Sequence, residues 1–146
     1  VYGGVGGGNA PEDYARGARE RVKEGFTAVK ITPFPEAVRY IDTPAMTESI
    51  VARIAAVREA VGLEIDVAID FHRAVSPAMA KILLNELEPY RPMFVEEPTH
   101  PENVDALLEI TRSTTIPIAT GERNTTRWGF REIRKFIKIQ CIGCPC

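Results

Sequence analysis

The chain has 146 residues, 45% of them hydrophobic and 26% charged, with a formal net charge of −2. These are ordinary values for one globular domain, and they exclude the basic surface of a nucleic-acid binder. No apolar run reaches the roughly 18–20 residues of a membrane span, so no membrane partner is expected.

The first residues, Val1-Tyr2-Gly3-Gly4, carry no basic region and no signal-like core, which makes cytoplasm the expected location. A start without Met, directly in an apolar pair, is what a piece of a longer protein would show. Val1-Tyr2 reads as the beginning of a strand, and 3–8 as a glycine-rich turn. A helix follows from Pro11, with Tyr14, Ala15, Ala18 and Val22 at helical spacing and Gly25 as its stop. Residues 26–32 form the second expected strand, and 33–42 a loop. Thr43 caps the next helix, with Pro44 at its first position, Met46, Ile50, Ile54, Val57 and Val61 inward, and Gly62 at its end.

A third strand covers 65–70. Ser76-Pro77 opens a helix with Met79, Ile82, Leu83 and Leu87 inward. A fourth strand covers 93–96, and a helix from Pro101 carries Val104, Leu107, Leu108 and Ile110. A fifth strand covers 116–119, and a last helix is expected from Trp128 to Ile137. The strands are short and continuously apolar, as in a parallel sheet buried on both faces. About five βα units result, which fit either a TIM-type barrel or an open doubly wound sheet. The early glycines do not make a dinucleotide turn. From Gly4 and Gly6 the third glycine of GxGxxG falls on Asn9, and from Gly6 and Gly8 it falls on Pro11.

Three apolar runs end in acids: Asp70, Glu96 and Glu122, each 26 residues from the next. In a barrel the strand ends surround one mouth. Converging carboxylates repel unless a cation compensates them, and hard oxygen ligands point to Mg²⁺, then Mn²⁺. A metal there can stabilise the charge that develops when a proton leaves the carbon beside a carboxylate. His72, two residues past Asp70, shares its side by strand alternation and is a candidate proton donor or acceptor. Lys30 ends the second strand and is a candidate for the same mouth. Glu97 is expected to point away, into a salt bridge or into support behind the ligands. Arg123 is a candidate for a substrate carboxylate, or for Glu97. The cysteines, Cys141, Cys144 and Cys146, crowd the last six residues. They are no disulfide framework, and C-x-x-C-x-C lacks a second ligand cluster.

Asp70-Phe71-His72, Val95-Glu96-Glu97-Pro98 and Thr120-Gly121-Glu122-Arg123 resemble the metal-site motifs of the enolase superfamily, within it the mandelate-racemase branch, and closest the galactonate dehydratase group of sugar-acid dehydratases. Residues 25–30, 87–92 and 128–132 extend the resemblance over about residues 1–135. It implies a partial (β/α)8 TIM-type barrel binding Mg²⁺ through Asp70, Glu96 and Glu122. It implies dehydration of an aldonic acid such as galactonate to a 2-keto-3-deoxy acid through a metal-stabilised enediolate, with His72 as the acid for the leaving hydroxyl. Lys30 sits where related enzymes often carry a strand-two catalytic lysine, but Thr32 stands in place of the second one, so the resemblance implies a residue of the site wall as well as a catalytic candidate. The expected partner is a small sugar acid, and the full-length family implies a homo-oligomer.

The family's capping domain and its last strands, with the His-Asp pair that supplies the main base, fall outside these residues, so the chain alone is expected to be inactive. Residues 136–146 no longer resemble the family. They are expected to be an aberrant tail, from a frameshift or truncated reading. The alternatives are a non-catalytic, self-associating half-barrel and another racemase or dehydratase of the same branch.

Overall fold

The computed structural model describes residues 1–6, 8–34, 43–134 and 139–141. Six parallel strands alternate with five helices. They are β1 (Gly3–Val5), α1 (Pro11–Lys23), β2 (Ala28–Ile31), α2 (Pro44–Val61), β3 (Asp66–Asp70), α3 (Pro77–Leu87), β4 (Phe94–Glu96), α4 (Val104–Arg112), β5 (Ile118–Thr120), α5 (Gly129–Arg134) and β6 (Ile139–Cys141). A short 3-10 turn, Glu88–Tyr90, follows α3.

The strands pair in the order β1-β2-β3-β4-β5-β6. A doubly wound sheet reverses its strand order at a switch point; this sheet does not. Consecutive helices instead pack on each other, α1 on α2, α2 on α3 and α3 on α4. These crossovers therefore lie on one side, and the architecture is an arc of a (β/α)8 barrel with six strands rather than five.

The helices form where prolines and caps allow. Pro11, Pro44 and Pro77 start α1, α2 and α3, where a missing N–H costs nothing. Thr43 and Ser76 accept hydrogen bonds from the N–H groups of Met46 and Met79, each at 3.2 Å. Helix α4 starts three residues later than Pro101, because the Asn103 side chain caps it by accepting from Ala106 N at 3.1 Å. The last helix is described only as far as Arg134; its expected continuation to Ile137 lies outside the described residues, as does the loop 35–42.

Strand alternation sorts the core into two layers. Val29, Ile31, Val67, Ile69, Val95 and Ile118 pack with helix residues Ile50, Ile54, Val57, Leu83, Leu87, Leu107 and Ile110. Ala68, Phe94 and Ala119 form a separate buried cluster on the opposite, inner face. Lys30, Asp70 and Glu96 continue that face towards the C-terminal ends of the strands.

Three expectations shift. The first strand is Gly3–Val5, inside the expected glycine turn, because Gly3 pairs with Val29 and sits against the Arg21 side chain, where a Cβ would approach Arg21 Cδ to 2.9 Å. Ile82 is 53% exposed; the buried stripe of α3 is Met79, Ala80, Leu83, Leu84 and Leu87, and Ile82 lies off it. Residues 139–141 of the expected tail form β6, with Thr120 opposite Cys141, while Cys144 and Cys146 lie outside the described residues. Among the described residues no helix is long and apolar enough to cross a membrane.

Arg53, on the buried face of α2, ties two loops together. Its Nε donates to Asn9 O at 2.9 Å and its Nη1 to Pro33 O at 2.8 Å. Arg58 does the same at the other end of α2, donating to the carbonyls of Gly62, Ile65, Tyr90 and Arg91. Burial holds the Arg58 guanidinium below its usual range.

Candidate metal centre

Two ion clusters meet at the C-terminal edge of the sheet. In the first, Asp70 and Glu96 are direct cross-strand partners. Lys30 lies opposite Ala68 in the register, and the small Ala68 side chain leaves the lysine stem room to run to the strand end. Lys30 Nζ is 3.1 Å from Asp70 Oδ2 and also contacts Glu96 Oε2. The side chains are 19%, 9% and 7% exposed in the order Lys30, Asp70, Glu96, so these charges face each other in a largely dry space. Among the described residues Glu96 Oε2 is offered no hydrogen-bond partner besides this ammonium. Burial, joined by the charges of Asp70 and Glu97, pushes the Glu96 carboxyl above the usual carboxylate range against the opposing pull of Lys30. Burial acts to lower the Lys30 ammonium, but the Glu96 hydrogen bond and the Asp70 charge outweigh it and hold Lys30 above its ordinary range. One ammonium thus leaves two buried carboxylates short of positive charge.

Asp70 also orders the turn after β3. Its Oδ1 accepts from His72 N at 2.8 Å, and His72 Nδ1 lies 3.8 Å from its Oδ2. Phe71, fully buried, packs edge-on against Phe34 with ring centroids 5.4 Å apart, and its N–H donates to Glu96 O at 2.8 Å. His72 does share the side of Asp70, but the cause is this turn and not strand alternation: β3 has ended, and His72 has φ +48°. Its ring is 55% exposed at the mouth.

The second cluster is centred on Glu97, which is 0% exposed. Its Oε1 accepts from Thr120 Oγ1 and Gly121 N, both at 2.9 Å. Its Oε2 accepts from Arg73 Nη1 at 3.5 Å, and the same Nη1 is 3.2 Å from Glu122 Oε2. Arg73 Nη2 lies 3.4 Å from His72 Nε2. The backbone closes the link, with Arg73 N donating to Glu97 O at 2.9 Å. Among the described residues four non-glycine residues have positive φ: His72, Arg73, Arg91 and Glu97. Three of the four stand here, so backbone strain concentrates at the site. Asp70, Glu96, Glu97 and Glu122 against Lys30 and Arg73 give four negative and two positive charges, a net −2.

The equal 26-residue spacing does not translate into equal register. Glu96 faces Asp70 across the ladder, but on β5 it faces Ala119. Glu122 lies three residues further, past the end of the strand and past Gly121 with φ +130°. Its carboxylate is 48% exposed and bonded to Arg73. The structure therefore brings Asp70, Glu96 and Lys30 together and sets Glu122 beside them on Arg73. Among the described residues no three His, Cys, Asp or Glu side chains already stand as a ligand group. Glu97 is buried in ion pairing as expected, but with Arg73; Arg123 is exposed. Arg73 was the residue missed, and its only signal in the sequence was adjacency to His72.

A family model described as "Enolase C-terminal domain-like" matches residues 13–142. A D-galactonate dehydratase of Ralstonia pickettii is 39% identical over 127 residues, covering 87% of this chain and 33% of that protein. The chain thus spans about a third of the length of the curated relatives it matches. Among solved structures, a putative dehydratase protein from Salmonella enterica serovar Typhimurium superposes with a TM-score of 0.86 at 34% identity, over 97% of this chain and 42% of that one. A dipeptide epimerase from Cytophaga hutchinsonii, complexed with Mg and the dipeptide D-Ala-L-Val, gives a TM-score of 0.79 at 26% identity, over 93% of this chain and 34% of that one. The chain belongs to the enolase C-terminal domain-like family.

Proposed function

We propose that these residues form the metal-binding and leaving-group half of a Mg²⁺-dependent sugar-acid dehydratase site, acting on an aldonic acid such as galactonate. The observation that carries this reading is the pairing of Asp70 with Glu96, in register, largely buried, and sharing one cation. A hard divalent ion fits the set, because the donors are carboxylates and a buried Glu96 oxygen is under-compensated. Asp70, Glu96 and Glu122 would hold it. When bound, Mg²⁺ supplies the positive charge that acidifies the C–H beside a substrate carboxylate.

The chain's own groups do the rest. Arg73 restrains Glu122 and Glu97, and through Glu97 the turn at Gly121. His72 presents an exposed imidazole at the mouth, its Nδ1 3.8 Å from Asp70 Oδ2. It gives its proton to the 3-hydroxyl, which leaves as water as the C2 proton departs to a base. The resulting enol becomes the 2-keto-3-deoxy acid. That base is proposed to lie outside these 146 residues. The names of the curated relatives support the substrate class, and the Mg in the epimerase structure supports the metal.

Residues 1–134, grafted in place of the matching segment of a curated D-galactonate dehydratase, are expected to retain Mg²⁺-dependent keto-acid formation. His72→Asn in that graft should lower the rate by about a hundredfold or more. The purified 146-residue chain alone should form none. A folded graft with no activity, or keto acid from the isolated chain, would contradict the assignment.

A further inference from the structure

We propose that Lys30 is a built-in competitor of the divalent cation, its ammonium claiming the same two carboxylate oxygens, so that metal enters only as Lys30 leaves. This rests on the reading of Asp70 and Glu96 as metal ligands. The geometry is specific: Lys30 Nζ is 3.1 Å from Asp70 Oδ2 and in contact with Glu96 Oε2, the oxygens that face each other across the ladder. An ion seated on both oxygens must stand where the ammonium stands.

Position, not total charge, decides against sharing. With Glu122 the three proposed ligands carry −3 and could balance both cations, but two cations seated on the same two oxygens would stand within a few Å of each other. All three side chains are less than a fifth exposed, so water screens that repulsion poorly. Where it stands, the ammonium already lies 5.6 Å from the centroid of the Tyr2 ring, an aromatic face towards which it can withdraw. The device keeps two buried acids compensated at low metal concentration and weakens metal affinity.

Mg²⁺ titration by calorimetry of the native chain, Lys30→Met and the double variant Lys30→Met/Glu96→Gln tests this. Lys30→Met is expected to bind about tenfold more tightly or better than the native chain, and the double variant to lose that gain. Binding by the native chain with unchanged or weaker binding by Lys30→Met overturns the proposal and leaves the metal site standing. No binding by either ends both.

Because Lys30→Met leaves two buried acids uncompensated and can misfold, a second readout uses the native chain. Reductive methylation of its lysines is quantified with and without saturating Mg²⁺. Labelling of Lys30 should rise several-fold while Lys81, paired with Glu109 on the surface, stays constant. Unchanged Lys30 labelling under Mg²⁺ overturns the competition.

Discussion

Glu96→Gln is expected to lower Mg²⁺ affinity by about a hundredfold or more, because changes even to groups behind a metal's ligands cost about 10–100-fold. The amide keeps the shape of the side chain and one acceptor oxygen but removes the charge. Glu96 is the most enclosed of the three proposed ligands, 7% exposed against 9% for Asp70 and 48% for Glu122, so least water can replace it. Thermal unfolding gives the same result independently. Ligand that binds only the native state at 100 times its Kd adds about 2.7 kcal/mol of stability. The native chain should show this gain in Mg²⁺, and Glu96→Gln should not show it at the same concentration. Glu102→Gln, at an exposed position, should behave as the native chain does.

Glu97→Ala is expected to cost about 3–5 kcal/mol of folding stability, the range for removing one partner of a buried ion pair. A domain of this kind has about 5–15 kcal/mol in total, so the variant should be partly unfolded at modest urea concentrations. The loss comes from several sides. Thr120 Oγ1 and Gly121 N lose their acceptor, and Arg73 Nη1 loses one of its two carboxylates and keeps a charge with the exposed Glu122 to meet it. Glu97→Gln should be milder, since an amide oxygen can still accept from Thr120 and Gly121 while the pairing with Arg73 weakens. Urea unfolding followed by circular dichroism orders the three chains. Equal midpoints for the native chain and Glu97→Ala would show that Glu97 holds nothing.

Periodicity made helices α1 to α4 legible, because each of these has a proline or polar cap at its start and buries one stripe. It failed at Ile82, which is hydrophobic but off the stripe, and at Gly3–Val5, where glycines that read as a turn allow a strand to sit against Arg21. The strand-end acids were legible as a set, but the equal spacing concealed unequal register: Glu96 is level with Asp70 and three residues short of Glu122. Arg53 and Arg58 were not legible at all, and Arg73 was legible only as the neighbour of His72. Each acts on carbonyls or carboxylates of residues distant in sequence, and no local pattern marks an arginine whose partners are assembled only by the fold. Arg73 matters most, since it determines where Glu122 rests.

The central claim is that Asp70, Glu96 and Glu122 converge on one divalent ion. Mn²⁺ titrated into isotopically labelled protein reports its position directly, through paramagnetic broadening of the nearby amide resonances. Loss of signal is expected to centre on residues 70–72, 96–97 and 121–122 and to be reversed by excess Mg²⁺. Broadening centred elsewhere on the fold, or broadening at residues 70–72 and 96–97 that spares Glu122, would contradict it.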